Sequence, residues 1–261
     1  MDKLGTWAAS AGVAAAIVAA GAATDRRLRS RPAATLGAAL IAGGYLAGTF
    51  GPRVGLFGRP AAPRRQPGTF ALTFDDGPDP RHTPEISELL ASRGHRATFF
   101  VLARAVRKHP TLAARLIADG HEVAAHGDDH RLLAFAAPAE IDRQLAAAED
   151  AVHNATGQRP ARLFRPPHGV RSPWLSRTVN RCGYRLCAWD GAVFDTAEPG
   201  AATIAARVER LLEPGAVVLL HDGDGSFANG SRRQTVDALP MILDAAEQRG
   251  LRSVHLSTLI S

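Results

Sequence analysis

The stretch TFALTFDDGP, residues 69–78, decides how the chain folds. Its first six residues form a short, nearly apolar run, which reads as a buried strand. That run breaks off at two adjacent carboxylates and a Gly-Pro turn. Six further runs of the same kind follow, at 97–102, 121–125, 162–165, 184–189, 215–221 and 252–256. Amphipathic stretches separate them at 84–93, 110–119, 137–156, 172–182, 201–213 and 233–249. Strict strand–helix alternation predicts parallel strands joined by crossover helices, either a doubly wound sheet or a barrel of the (β/α)₈ type. No short repeat is present, which excludes a solenoid.

The polar residues that interrupt this pattern cluster at one place in it. Asp75 and Asp76, His126, Arg165, Asp190 and His221 each stand at or just past the end of a predicted strand. In a parallel βα fold those ends converge on one face, where ligands bind. Adjacent Asp75 and Asp76 repel each other unless a cation or an Arg compensates them, although Asp-Gly also suits an ordinary turn. His126 and His130, four apart, would share a face on a helical turn. With one carboxylate they make a three-ligand metal site open to water, and without one they are two solvated histidines. Two prolines after Arg165 hold it extended, aimed at a carboxylate or simply in a surface turn. His221 follows a buried strand as a general acid or as a satisfied strand-end histidine. The run from Asp222 to Ser226 is not a calcium loop, because its twelfth position is Arg233 rather than Glu.

TFDDGP, H-x₃-H, RPPHG, W-D-x₄-D and V-L-L-H occur in that order over about 190 residues. This set resembles the polysaccharide deacetylase family, carbohydrate esterase family 4, with its NodB-type homology domain. The resemblance implies a distorted (β/α) barrel of about seven parallel strands and metal-dependent hydrolysis of N-acetyl groups on amino sugars, or of O-acetyl groups in some members. It implies a divalent ion, Zn²⁺ first, with Co²⁺ or another ion as alternatives. By the same resemblance Asp76, His126 and His130 are the metal ligands, Asp75 is the catalytic base and Arg165 holds that base. His221 is the general acid, Asp195 pairs with it, and Pro166, His168, Trp189 and Leu219 face the substrate. Four positions depart from the family pattern: Gly127 in place of Ser or Thr, Thr196 of Trp, His168 of Tyr, and Ala192 of an acidic residue.

The chain has 261 residues, 46% hydrophobic and 21% charged, with 25 Gly and 17 Pro, which excludes a disordered or collagenous protein. Two cysteines, Cys182 and Cys187, are too few for a disulfide scaffold. The net charge of +6 suggests nucleic acid, but residues 1–68 carry +7 of it and residues 69–261 net −1. The predicted domain therefore has no footprint for phosphates. Residues 7–23 and 33–50 are uncharged and each near the minimum for a bilayer crossing, with four Arg between them. They predict a membrane-anchoring hairpin over 1–50, a Pro/Gly/Arg linker over 51–68 and a catalytic domain over 69–261, outside the cytoplasm. A cleaved signal peptide releasing a secreted enzyme, or a pair of buried soluble helices, are the alternatives. An acetylated wall glycan such as peptidoglycan or a chitin-like polymer is the expected partner. Two other readings remain: an inactive, metal-containing glycan-binding module of the same fold, and a cytoplasmic hydrolase of a small acetylated metabolite.

Overall fold

The computed structural model describes residues 66–191, 193–225 and 230–260. Seven parallel strands form one sheet: β1 (Thr69–Asp75), β2 (Ala97–Val101), β3 (Glu122–Ala125), β4 (Ala161–Phe164), β5 (Arg185–Leu186), β6 (Val217–His221) and β7 (Arg252–Ser253). Their order is β5-β4-β3-β2-β1-β6, with β7 paired to the start of β1. The sheet curls into a half-barrel in which β1 pairs with β2, β6 and β7, which accords with the predicted distorted barrel.

The alternation on β1 shows how both faces are filled. Phe70, Leu72 and Phe74 point to the outer helices, where Phe74 stacks on Phe99 at 5.0 Å. Ala71 points into the curl with Phe100, Ala124, Leu163 and Val217. Thr73 and Asp75 share its inward face, and their register partners on β6 are Leu219 and His221. A strand of period two thus delivers its one terminal carboxylate to the barrel mouth because its apolar residues fix which face is which.

The outer layer is built from α1 (Thr83–Ser92), α2 (Ala103–Lys108), α3 (Pro110–Ala118), α4 (Pro138–Thr156), α5 (Pro173–Arg181), α6 (Ala201–Glu209) and α7 (Arg233–Gln248). α4 begins on proline and ends at Gly157, whose φ of 71° suits a residue without Cβ. α8 (Leu256–Leu259) plugs the closed end of the barrel with Leu256 and Leu259.

Three expectations change. The sixfold helical count omits α2 and α8. The strand expected over 184–189 is regular only at Arg185–Leu186, because the chain then leaves β4 to reach β6: Asp190 donates its N–H to the Val217 carbonyl at 2.8 Å and accepts the Val217 N–H at 2.9 Å. Asp190 is therefore committed to closing the sheet. The predicted helical turn over 126–130 is an irregular loop with Gly127 at φ 93° and His130 at φ 61°. No described helix is long and apolar enough to cross a membrane, and segments 7–23 and 33–50 lie outside the described residues, as does nearly all of the 51–68 linker. Both cysteines are free thiols, and burial pushes Cys187 up to about 12.

Candidate active site

Asp76, just past β1, sits at φ 78°, a left-handed conformation that Asp tolerates better than most residues. The next residue has to be Gly: a Cβ on Gly77 would lie 2.0 Å from a carboxylate oxygen of Asp222. Asp76 Oδ1 is 3.3 Å from His126 Nε2 and 3.0 Å from His130 Nε2. His126 Nδ1 lies 2.7 Å from the carbonyl of Arg165. A carbonyl only accepts, so Nδ1 carries the proton and Nε2 is left with its lone pair toward Asp76.

The loop that swings His130 into place is held from α4. Gln144 Oε1 accepts the Asp128 N–H at 2.5 Å while its Nε2 donates to Asp129 at 2.8 Å. A Cβ on Gly127 would approach that Oε1 to 2.9 Å, so the glycine both permits the positive φ and admits the brace. Gln144 thus braces the histidine loop at the position where the sequence has Gly127.

Burial would raise the Asp76 carboxyl, but the imidazoles of His126 and His130 hold it well below the usual range. Its Oδ1 is buried and accepts no hydrogen bond. One carboxylate oxygen and two imidazole nitrogens, all within 4.8 Å of one another, are the donor set of a catalytic zinc-type site. A buried anionic oxygen that accepts no hydrogen bond, set between two imidazole nitrogens, is what a divalent cation satisfies, so these residues fit one.

Asp75 lies on the other side of the strand end. Its Oδ1 accepts from Arg165 Nη1 at 2.7 Å, and its Oδ2 is 3.9 Å from His126 Nε2. Arg165 is fully buried; it also donates to Thr73 Oγ1 at 2.9 Å and to the Ala188 carbonyl, and its guanidinium lies 4.2 Å over Phe100 and 5.5 Å over Trp189. A cation so enclosed is sustained by its partner's charge and by ring faces.

His221 is the third component. Its Nδ1 lies 2.8 Å from Asp195 Oδ1, its backbone N–H donates to Asp195 Oδ2 at 2.8 Å, and Thr235 donates to the same oxygen at 3.0 Å. Burial works to lower the imidazole, but the charge and hydrogen bond of Asp195, with Asp76 and Asp75 behind, raise it to about 9. Asp195 itself, despite its burial, is held below its ordinary value by His221.

The remaining sequence candidates frame this centre. Leu219 is half-buried opposite Thr73. His168, exposed and at φ 62°, tilts its ring against His130 at 4.4 Å. Trp189 covers Gly169, where a Cβ would meet its ring at 2.3 Å, and Pro166 is buried within the turn. Sequence reasoning missed Thr73, Thr235, Gln144 and Asp222. The last is fully buried and accepts from Thr83 at 2.5 Å; burial first, then the charges of Asp76 and Asp79, push it up to about 7.

A family model described as polysaccharide deacetylase matches residues 62–187. A chitooligosaccharide deacetylase from Bradyrhizobium sp. (strain ANU 289) is 37% identical over 185 residues, covering 69% of this chain and 84% of the relative. The chain belongs to the polysaccharide deacetylase family. As a member it is a polysaccharide deacetylase by class, a hydrolase. A peptidoglycan-N-acetylglucosamine deacetylase from Bacillus cereus is 32% identical over 192 residues, 73% of this chain and 87% of the relative. Among solved structures, a family 4 carbohydrate esterase from Streptomyces lividans in complex with acetate superposes with TM-score 0.65 at 29% identity, covering 72% of this chain and 92% of that one. A family 4 pseudoenzyme from Bacillus anthracis, 24% identical, shares the fold with TM-score 0.67 over 78% of this chain and 67% of that one. The fold therefore does not by itself separate active from inactive members; the side chains do.

Proposed function

We propose that this polysaccharide deacetylase removes N-acetyl groups from amino-sugar units of a cell-envelope glycan, using a divalent cation held by Asp76, His126 and His130. The supporting observation is the convergence of two held groups on that cluster: Asp75 paired with Arg165, and His221 paired with Asp195. Two carboxyl and imidazole groups set apart by their surroundings divide base and acid between them.

A cation in that site supplies fixed positive charge, which polarises the acetyl carbonyl and makes water acidic enough to attack near neutrality. Asp75 takes the proton from the attacking water, and Arg165 holds its carboxylate aimed. His221 gives its proton to the sugar nitrogen as the carbon–nitrogen bond breaks, and Asp195 keeps that proton on the ring until it is needed. The products are acetate and a free amine. Leu219, half-buried beside the acid on the inward face, sits on the floor where an acetyl methyl would rest.

The relatives named for chitooligosaccharides and for peptidoglycan support an acetylated glycan. The uncharged segments 7–23 and 33–50 support a membrane tether that holds the enzyme outside the cytoplasm, where wall polymers lie. An inactive glycan-binding module is the second reading, favoured by Thr196 where the resembled family has Trp and by the pseudoenzyme of the same fold. Acetate release from an N-acetylglucosamine oligomer separates the two. Release with Zn²⁺ or Co²⁺ supports hydrolysis, and none under any metal supports the binding module. Membrane fractionation of the full chain tests the tether: recovery in the soluble fraction without detergent contradicts it.

A further inference from the structure

Beside the metal cluster, on the α2 side, a cavity of about 260 Å³ opens from Asp76 to Lys108 and His109. Its size is that of a single sugar unit rather than of an acetyl group. Its charges can be paired off one at a time. Arg81 Nη2 meets Asp79 at 2.6 Å. Asp224 accepts from the Gly230 N–H at 2.7 Å and lies 3.6 Å from Arg232. Asp76 faces the two imidazoles, and Arg107, next to Lys108 in sequence, is 2.5 Å from Asp128. On this wall the Lys108 ammonium and the neighbouring His109 imidazole have no carboxylate within 4.0 Å among the described residues, and the Lys108 side chain is exposed. The helix that carries Lys108 is tied to the metal loop: α2 starts with its first N–H groups donating to the carbonyls of Gly127 and Asp128, in the loop that holds His126 and His130. The backbone from which Lys108 extends is thereby tied to the loop of the metal ligands.

We propose that this cavity is a subsite for a carboxylate carried by the sugar next to the one being deacetylated, with Lys108 as its ion-pairing anchor and His109 as a second donor. A lone ammonium at the end of a sugar-sized cavity selects an anion, and carboxylate is the anion that glycans built from N-acetylated sugars carry, as a lactyl ether or as a uronic acid. This inference rests on the glycan deacetylase reading above and adds to it a preference for acidic over neutral chains.

The test compares equilibrium binding and acetate release on the metal-loaded full chain for three oligomers of equal length: neutral N-acetylglucosamine, one alternating with lactyl-bearing sugars, and one alternating with uronic acid. An acidic oligomer is expected to bind about tenfold more tightly than the neutral one. Lys108→Arg is expected to keep that ratio, Lys108→Ala to bring it near one, and Lys108→Glu to invert it. Preference for one acidic oligomer over the other identifies the source of the carboxylate. A wild-type ratio of one, or a ratio that Lys108→Glu leaves unchanged, overturns the subsite. Preferential binding without acetate release from any oligomer keeps the subsite and overturns the hydrolytic reading instead.

Discussion

Two groups of buried histidines lie at opposite ends of the same strands, and they do different things. Before β2 and β3, His95 and His121 are as inaccessible as His126 beyond β3. At that end both ring nitrogens are used up: His121 accepts the Ala97 N–H and donates to the Ser87 carbonyl, and His95 accepts the Ser253 N–H while facing Glu247. Burial lowers both of these imidazoles. At the barrel mouth each ring spends at most one nitrogen on its neighbours and turns the other toward Asp75 and Asp76. Burial opposes protonation of His126 and His221 as well, yet the facing carboxylates raise both. Burial alone therefore does not mark a functional histidine; an uncommitted nitrogen facing an anion does.

The largest expected effect comes from the mouth. Asp75→Asn is expected to cut the rate of acetate release about 10³-fold with metal affinity nearly unchanged, and to lower the melting temperature because buried Arg165 loses its counter-charge, read by steady-state kinetics on the folded fraction and by calorimetry. Equal activity would mean that Asp75 is another satisfied strand-end group. Asp195→Asn is expected to cost about 10²-fold and to bring the His221 titration, followed by NMR in the metal-free protein, from about 9 back toward the ordinary value near 6.5. A titration that stays at about 9 would show that Asp195 does not set it.

Substitution at the other end should split the effects the opposite way. His121→Leu is expected to cost about 2 kcal/mol of stability in denaturant unfolding, since the Ala97 N–H and the Ser87 carbonyl lose their partner, with turnover per folded molecule unchanged. Loss of turnover at full stability would erase the distinction between the ends. The pH dependence separates them as well. The folded pKa of His221 is raised, so in the metal-free protein its stabilisation is complete below about pH 6.5 and is lost as the pH climbs through about 9. His95 and His121 are lowered, so their end weakens as the pH falls below about 6.5. Hydrogen exchange at the Ala97 and Ser253 amides should quicken in acid, and at the His221 amide in alkali. The smallest effect is expected from Glu247→Gln, within about 0.5 kcal/mol, because that carboxylate is exposed.

Much of this was legible in the residues. All seven strands lie where apolar runs of four to seven residues alternate with helical patterns, and Asp75, Asp76, His126, Arg165 and His221 follow from their places at strand ends. What escaped depends on tertiary partners. α2, with the sequence ARAVRK, has no capping side chain; carbonyls of the 126–130 loop satisfy its first N–H groups instead. The same loop reads as a helical turn by i, i+4 spacing, and only two left-handed residues and Gln144, eighteen positions past His126, make it otherwise. Thr73 could have been found as the hydroxyl two residues before Asp75 on the inward face of β1. Thr235 carried no such signal, since it meets Asp195 forty residues away across the barrel.

The most direct test is an X-ray structure of the zinc-soaked full chain with anomalous data at the zinc edge. The expected result is one strong peak bound by Asp76 Oδ1, His126 Nε2 and His130 Nε2, with none at His95 or His121. A peak at the opposite end of the strands, or an ion at the mouth that leaves Asp76 uncoordinated, would contradict the assignment of the metal centre and the chemistry built on it.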